Sequence, residues 1–175
     1  MGILVVDDSE EQRAVLEAVL TAGGFKDVIT ADSAETALSI MGLAAPSAQH
    51  ICRIDLVLLD IVMPGMDGFE ACTRIRGEQR YAYLPVVVTT ALDDLEGVAN
   101  ALKSGATDFL SKPLKHGDII ECMRLALKLK EELQRRNATD GVFFHRTSFR
   151  FECRDLKSWR DSVTTRWRHG ENRAQ

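Results

Sequence analysis

Three kinds of polar group follow apolar runs at four places in the chain: carboxylates, hydroxyls and an ammonium. They are Asp7 and Asp8 after ILVV, Asp60 after LVLL, Thr89 and Thr90 after VVV, and Lys112 after FLS. A single acid after an apolar run is usually a solvated strand end or a helix cap. Three acids from two separate runs indicate a site instead, because like charges packed together repel and need a compensating cation.

The residue types in this set favour one chemistry. All-oxygen ligation with few carboxylates suits Mg²⁺, which keeps several waters and usually bridges to phosphate oxygens. A carboxylate beside such an ion can act as a nucleophile and accept a phosphoryl group. In that chemistry Asp60 is the nucleophile, while Lys112 and a threonine hydroxyl hold the remaining oxygens.

A parallel sheet would bring these groups to one edge. Short β-branched runs alternate with segments of helical period, which predicts an α/β fold. The predicted strands are Ile3–Val6, Val28–Ala31, Leu56–Leu59, Val86–Thr89 and Asp108–Leu110, and the predicted helices are Glu10–Ala22, Ser33–Met41, Phe69–Arg76, Leu95–Ser104 and Asp118–Arg136. The strands are mostly continuously apolar, as expected when both faces are covered. The order is (βα)₅, a doubly wound sheet that binds ligands beyond the carboxyl ends of its strands.

Four segments together carry a family resemblance: ILVVDDS, LVLLDIVMPGMDGFE, VVVTTA and GATDFLSKPL. They closely resemble the receiver domain of two-component response regulators, in family order and at family-like spacing. The implied fold is a flavodoxin-like, five-stranded parallel sheet, to which this sequence adds an extended last helix and a short C-terminal extension. The predicted domains are a receiver over 1–130, a helical linker over 131–141 and a basic, aromatic extension over 142–175.

The resemblance implies a role for each acid. Asp60 matches the phosphoacceptor, which takes its phosphoryl group from a phosphohistidine on a sensor histidine kinase or phosphotransfer protein. Asp8 matches the acid that binds Mg²⁺ directly, and Asp7 matches the acid that acts largely through water. The implied metal ligands are completed by Asp60 itself and the backbone carbonyl of Val62.

A second group of positions matches the family's conformational switch. Thr90 matches the hydroxyl that moves onto the phosphoryl oxygens, Phe109 the aromatic side chain that then rotates, and Lys112 the ammonium. The peptide bond into Pro113 is expected to be cis, because the free-energy cost of the cis form is small before proline. Phosphorylation would thereby change the surface of the last two helices and strand five. Phe109 lacks the hydroxyl of the commoner tyrosine, so we expect this switch to work by packing alone.

One position separates the receiver from an enzyme of similar design. A Mg²⁺-dependent aspartyl-phosphate hydrolase usually carries a second acid two residues after its nucleophile, where this chain has Val62. We therefore expect no enzyme beyond a module that catalyses its own phosphoryl transfer and autodephosphorylation. Val62 and Leu92 are both apolar where family members can carry polar side chains that orient water, so we hypothesise that autodephosphorylation is slow.

The C-terminal part differs in composition from the rest. Residues 1–142 carry 14 basic against 22 acidic side chains, whereas residues 143–175 carry 8 against 4 and more than half of the aromatics. Leu125, Leu129 and Leu133 form an apolar edge on the last helix, which favours a coiled-coil linker or a homodimer. The extension either docks on the receiver, pairs between subunits, stays disordered or begins an absent output domain of the diguanylate cyclase or DNA-binding type. The extension's net charge of +4 is only a weak indication of a nucleic-acid-binding surface, so we expect no nucleic-acid partner.

The remaining expectations concern the compartment. No apolar stretch approaches the ~20 residues that span a bilayer, and the start lacks the pattern of a secretory signal. The cysteines are scattered without a CxxC pair, which favours reduced thiols. We expect a cytoplasmic protein with no membrane partner.

Overall fold

The continuous apolar runs form the strands of one parallel sheet. The computed structural model describes residues 1–44, 53–91, 99–101 and 103–140. The strands run in the order β2-β1-β3-β4-β5, and their bounds are β1 (Gly2–Val6), β2 (Asp27–Ala31), β3 (Leu56–Asp60), β4 (Val86–Thr90) and β5 (Asp108–Ser111). The predicted fold class is confirmed. Strand order reverses between β1 and β3, the point where such sheets bind ligands.

Helices connect the strands and begin at side chains that cap them. Their bounds are α1 (Glu10–Ala22), α2 (Ala34–Ile40), α3 (Gly68–Gly77) and α4 (His116–Asp140), with a 3₁₀ turn at Gln79–Tyr81. Ser9, Ser33 and Asp67 each accept a hydrogen bond from a backbone N–H three residues on, at 3.3, 3.3 and 2.8 Å. These caps satisfy donors that the first helical turn leaves free.

Two cores cover the two faces of the sheet because successive strand side chains point to opposite sides. Helices α2 and α3 pack on the face formed by Leu4, Val6, Val57, Leu59, Val86 and Val88. Helices α1 and α4 pack on the face formed by Ile3, Val5, Leu56, Leu58 and Val87. The strands β1, β3 and β4 are therefore buried along their whole length.

Several predicted boundaries were wrong by one or a few residues. Strand β3 includes Asp60 and β4 includes Thr90, because the ladder continues through the pairs Asp60–Thr89 and Thr90–Ser111. Helix α4 has 25 residues and extends beyond the predicted Asp118–Arg136 at both ends. Of the predicted helix Leu95–Ser104, residues 99–101 and 103 are helical, and most of the others lie outside the described residues.

The chain divides into one unit of Met1–Thr139 and a second of Asp140–Gln175. The predicted extension 142–175 lies outside the described residues, and the boundary between receiver and linker at residue 130 stays a prediction. Among the helices that the structure describes, none combines the length and the apolar character needed to cross a membrane.

Candidate functional site

Three carboxylates meet at the switch point of the sheet. Asp7 follows β1, and Asp60 ends the neighbouring strand β3, so the parallel arrangement carries both to the same edge. Asp7, Asp8 and Asp60 each offer an oxygen within 4.8 Å of the others. Asp7 is 1% and Asp60 4% exposed, while Asp8 is exposed. A cluster of oxygen donors with one side open to water fits a hydrated Mg²⁺ ion.

Lys112 supplies the opposite charge. Its Nζ lies 2.6 Å from Oδ2 of Asp60 and 3.4 Å from Oδ2 of Asp7. Its backbone N–H donates to the Thr90 carbonyl at 2.7 Å, and the peptide bond to Pro113 is cis. The ammonium therefore bridges the acids of two strands.

The pKa values in this cluster follow from burial and charge. Burial raises the pKa of the Asp7 carboxyl, and the Ser9 N–H and the Lys112 ammonium only partly offset that effect. Burial alone would lower the pKa of Lys112, but its hydrogen bond and attraction to Asp60, helped by Asp7, raise it above the usual value. Lys112 is thus held as a cation at neutral pH.

A hydroxyl beside the Asp60 carboxylate belongs to Thr89, one of the two candidate threonines after VVV, whereas the family resemblance assigned the switch role to Thr90. Thr89 pairs with Asp60 across the strands, and its Oγ1 lies 3.5 Å from Oδ1 of Asp60. Thr90, predicted as the switch hydroxyl, is buried at the end of β4. The sequence shows two adjacent threonines at this point. Only the register between β3 and β4 determines which of them lies opposite Asp60.

The other predicted residues lie on neighbouring segments. The Val62 N–H donates to Oδ1 of Asp60 at 3.4 Å, and the Val62 residue is 61% exposed. Phe109 is half-buried in β5 and packs against the core under α2 and α3. Leu92 lies outside the described residues.

Two residues that the sequence did not single out hold the first loop of the site. Arg13 of α1 donates from Nη1 to the backbone carbonyls of Asp7 at 2.8 Å and Asp8 at 3.1 Å. The Ser9 N–H donates to Oδ1 of Asp7 at 2.9 Å. These bonds fix the loop after β1. Because Arg13 binds backbone carbonyls, no pattern of side chains in the sequence predicts its contacts.

Comparison with known protein families identifies the domain whose sheet edge holds these carboxylates. Residues 3–124 match the model of the response regulator receiver domain. The chain belongs to this family. Its receiver domain therefore comes from the response regulators of two-component systems, whose receivers bind Mg²⁺ at an acidic pocket, and the cluster of Asp7, Asp8 and Asp60 fits such a pocket.

Individual relatives agree with the receiver assignment. The response regulator PleD of Caulobacter vibrioides is 39% identical over 140 residues, which are 78% of this chain and 29% of PleD. The transcriptional regulatory protein AfsQ1 of Streptomyces coelicolor is 35% identical over 143 residues, 82% of this chain and 56% of AfsQ1. A crystal structure of a putative response regulator from Chloroflexus aurantiacus matches with a TM-score of 0.65 and 28% identity, covering 73% of this chain and 97% of that one. The receiver chain thus spans between about a third and about half of these two curated relatives.

Proposed function

We propose that the receiver accepts a phosphoryl group on Asp60 from a phosphohistidine of a sensor histidine kinase or a phosphotransfer protein. The observation that carries the proposal is the contact set of Asp60. One of its oxygens receives the Lys112 ammonium, the other faces the Val62 N–H and the Thr89 hydroxyl. A structural acid at a strand end has no need of these partners from two other segments.

The chain's own residues prepare the transfer. An Asp60 oxygen forms a P–O bond as the P–N bond of the phosphohistidine breaks, and the bonding electron pair stays on the imidazole nitrogen, which takes up a proton from water. Lys112 and the Val62 N–H then stabilise negative charge on the transferred group. Asp7, Asp8, Asp60 and the Val62 carbonyl would hold Mg²⁺. The ion supplies, when bound, the charge that offsets repulsion between carboxylate and phosphoryl oxygens.

The proposed output is a change in packing behind Asp60. Thr90 is buried at the end of β4, and Phe109 is half-buried in the adjacent strand β5. A new anion at Asp60 draws the Thr90 hydroxyl towards it, and Phe109 turns into the vacated space. That movement alters the surface formed by β5 and α4, a local charge event biasing a two-state element.

The proposal also covers the oligomeric state and the cellular compartment. Leu125 and Leu129 are 50% and 45% exposed on α4, which supports a homodimer through that helix. Cys72 and Cys122 are buried thiols, which supports a reducing, cytoplasmic compartment. AfsQ1 is named as a transcriptional regulator, but the proposal concerns the receiver step alone and includes neither turnover of an external substrate nor nucleic-acid binding.

Phosphoramidate with Mg²⁺ tests the proposal because its P–N bond stands in for phosphohistidine. Intact-mass measurement should find one phosphoryl group per chain in the wild type and none in Asp60→Asn. The matched control is Asp32→Asn, which removes an exposed acid that follows β2 and should label like wild type. Label that persists in Asp60→Asn, or many turnovers of donor per chain without an adduct, would refute the proposal.

A further inference from the structure

The loop over residues 61–67, between β3 and α3, borders the acceptor carboxylate. The Gly68 N–H donates to the Ile61 carbonyl at 3.0 Å and closes the loop. Met63 and Met66 are buried in the core beneath it, whereas Val62 projects into solvent. Gly65 has a φ of +78°, a backbone conformation that favours glycine.

A carboxylate from another helix binds this loop. Oε1 of Glu35, in the first turn of α2, accepts a hydrogen bond from the Met66 N–H at 3.2 Å. A Cβ at Gly65 would lie 3.3 Å from the same oxygen, so the carboxylate rests directly against the loop backbone.

An acid in a first helical turn has an ordinary explanation, since the helix dipole favours it there. Glu70 of α3 fits that explanation: it is exposed and pairs at 2.6 Å with Arg74, one turn further along its own helix. Glu35 instead contacts a segment 31 residues away in sequence. Its partner lies in the loop whose Val62 N–H points at Asp60.

We propose that Glu35 is a positioning residue for the phosphoacceptor site. Its carboxylate fixes the 61–67 loop and thereby places the Val62 N–H and carbonyl beside Asp60. The inference rests on the proposed function, because it assigns Val62 a part in binding Mg²⁺. The hydrogen bond performs this role through an acceptor oxygen; the negative charge of Glu35 is secondary.

Mg²⁺ titration of the full chain, followed by the amide NMR signals of residues 61–67, tests the inference without phosphoryl transfer. Glu35→Ala should weaken Mg²⁺ affinity by about tenfold, as expected when a group supporting a ligand is lost. It should also speed hydrogen exchange of the Met66 amide. Glu35→Gln keeps an acceptor oxygen and should stay within about threefold of wild type. Glu70→Ala is the matched control and should leave both measurements unchanged.

The outcomes separate this inference from the proposed function. Wild-type Mg²⁺ affinity in Glu35→Ala would overturn the inference, and so would equal losses in Glu35→Ala and Glu35→Gln, which would assign the effect to charge. Equal losses in Glu35→Ala and Glu70→Ala would also overturn it, because they indicate a general loss of acidic charge. If the wild type binds Mg²⁺ but is not labelled by phosphoramidate, the proposed function fails while the positioning role of Glu35 stands.

Discussion

The Nζ atom of Lys112 lies 2.6 Å from Oδ2 of Asp60, whereas Oδ1 of the same carboxylate faces the Val62 N–H at 3.4 Å. The two oxygens of the Asp60 carboxylate therefore have different partners. One is paired with a cation from the segment after β5, and the other faces the loop that follows its own strand. This asymmetry allows the contribution of each partner to be tested separately.

Lys112→Met should slow phosphoryl transfer from phosphoramidate by about a hundredfold, the usual cost of removing a charged donor that stabilises developing negative charge. Mg²⁺ affinity should not fall, because removal of the ammonium leaves the carboxylates with more uncompensated negative charge. Stopped-flow labelling and Mg²⁺ titration measure the two effects, with the exposed Lys115→Met as control. A parallel loss of Mg²⁺ affinity would show that Lys112 acts by holding the carboxylates in place.

Val62→Asn should shorten the lifetime of the phosphorylated chain. The Val62 side chain is exposed at the rim of the site, and a polar group there can orient a water for attack on the phosphoryl group. Loss of label after removal of the donor measures the rate, with Val15→Asn as a control at an equally apolar, exposed position on α1. Unchanged decay in Val62→Asn, or wild-type decay within seconds, would contradict the hypothesis of slow autodephosphorylation.

The sequence predicted the parts of this site that depend on sheet topology. Parallel strands carry their carboxyl ends to one edge, so the meeting of Asp7 with Asp60 followed once the apolar runs were assigned to strands. The position of Thr89 beside Asp60 depends on the register between β3 and β4, and two adjacent threonines do not encode a register. The contacts of Arg13 and Glu35 are to backbone atoms, whose positions no side-chain pattern reports.

Arg76→Lys should lower the free energy of unfolding by about 3 kcal/mol, because buried acceptors would lose their donors. The Arg76 guanidinium donates at 2.6 Å to each of the Gly105 and Leu84 carbonyls and at 3.0 Å to the Thr107 hydroxyl. A lysine ammonium lacks the planar fork needed to reach all of them. Urea unfolding measures the change, and the exposed Arg74→Lys on the same helix should be nearly neutral. Equal stability of the two variants would contradict this account.

Lys130→Met should destabilise the chain in a pH-dependent way. Burial raises the pKa of Asp55, but the hydrogen bond and charge of Lys130, with the Gly2 N–H and Arg53, more than offset it and hold the pKa below its usual value. The stabilisation is therefore complete above the unfolded value of about 4 and is lost as the pH falls through the lower, folded value. Removing Lys130, whose Nζ lies 2.8 Å from Asp55, should cost about 2 kcal/mol at neutral pH.

Urea unfolding from neutral pH to about pH 3 checks that dependence. The difference between wild type and Lys130→Met should shrink as the solution is acidified, since a protonated Asp55 gains little from an ammonium. Lys128→Met, an exposed neighbour on α4, supplies the control. A difference that stays constant with pH would show that Lys130 contributes through packing of its hydrocarbon stem.

Leu125→Glu and Leu129→Glu together should leave the chain monomeric in sedimentation experiments at concentrations where the wild type dimerises. Both side chains lie one turn apart on the exposed edge of α4, where charges would have to be buried in the proposed contact. Val15→Glu, at an exposed apolar position on α1, is the control. A wild type that stays monomeric with and without phosphorylation would refute the dimer.

The ion pairs of the site join residues that are 52 and 105 positions apart in the chain. A polypeptide emerging from the ribosome thus holds Asp7 and Asp60 long before Lys112 is synthesised. Until β5 has joined the sheet, those carboxylates lack the ammonium that pairs with them. In a chain that is still being made, the charge of this cluster is therefore balanced by Lys112 only when β5 docks onto the sheet.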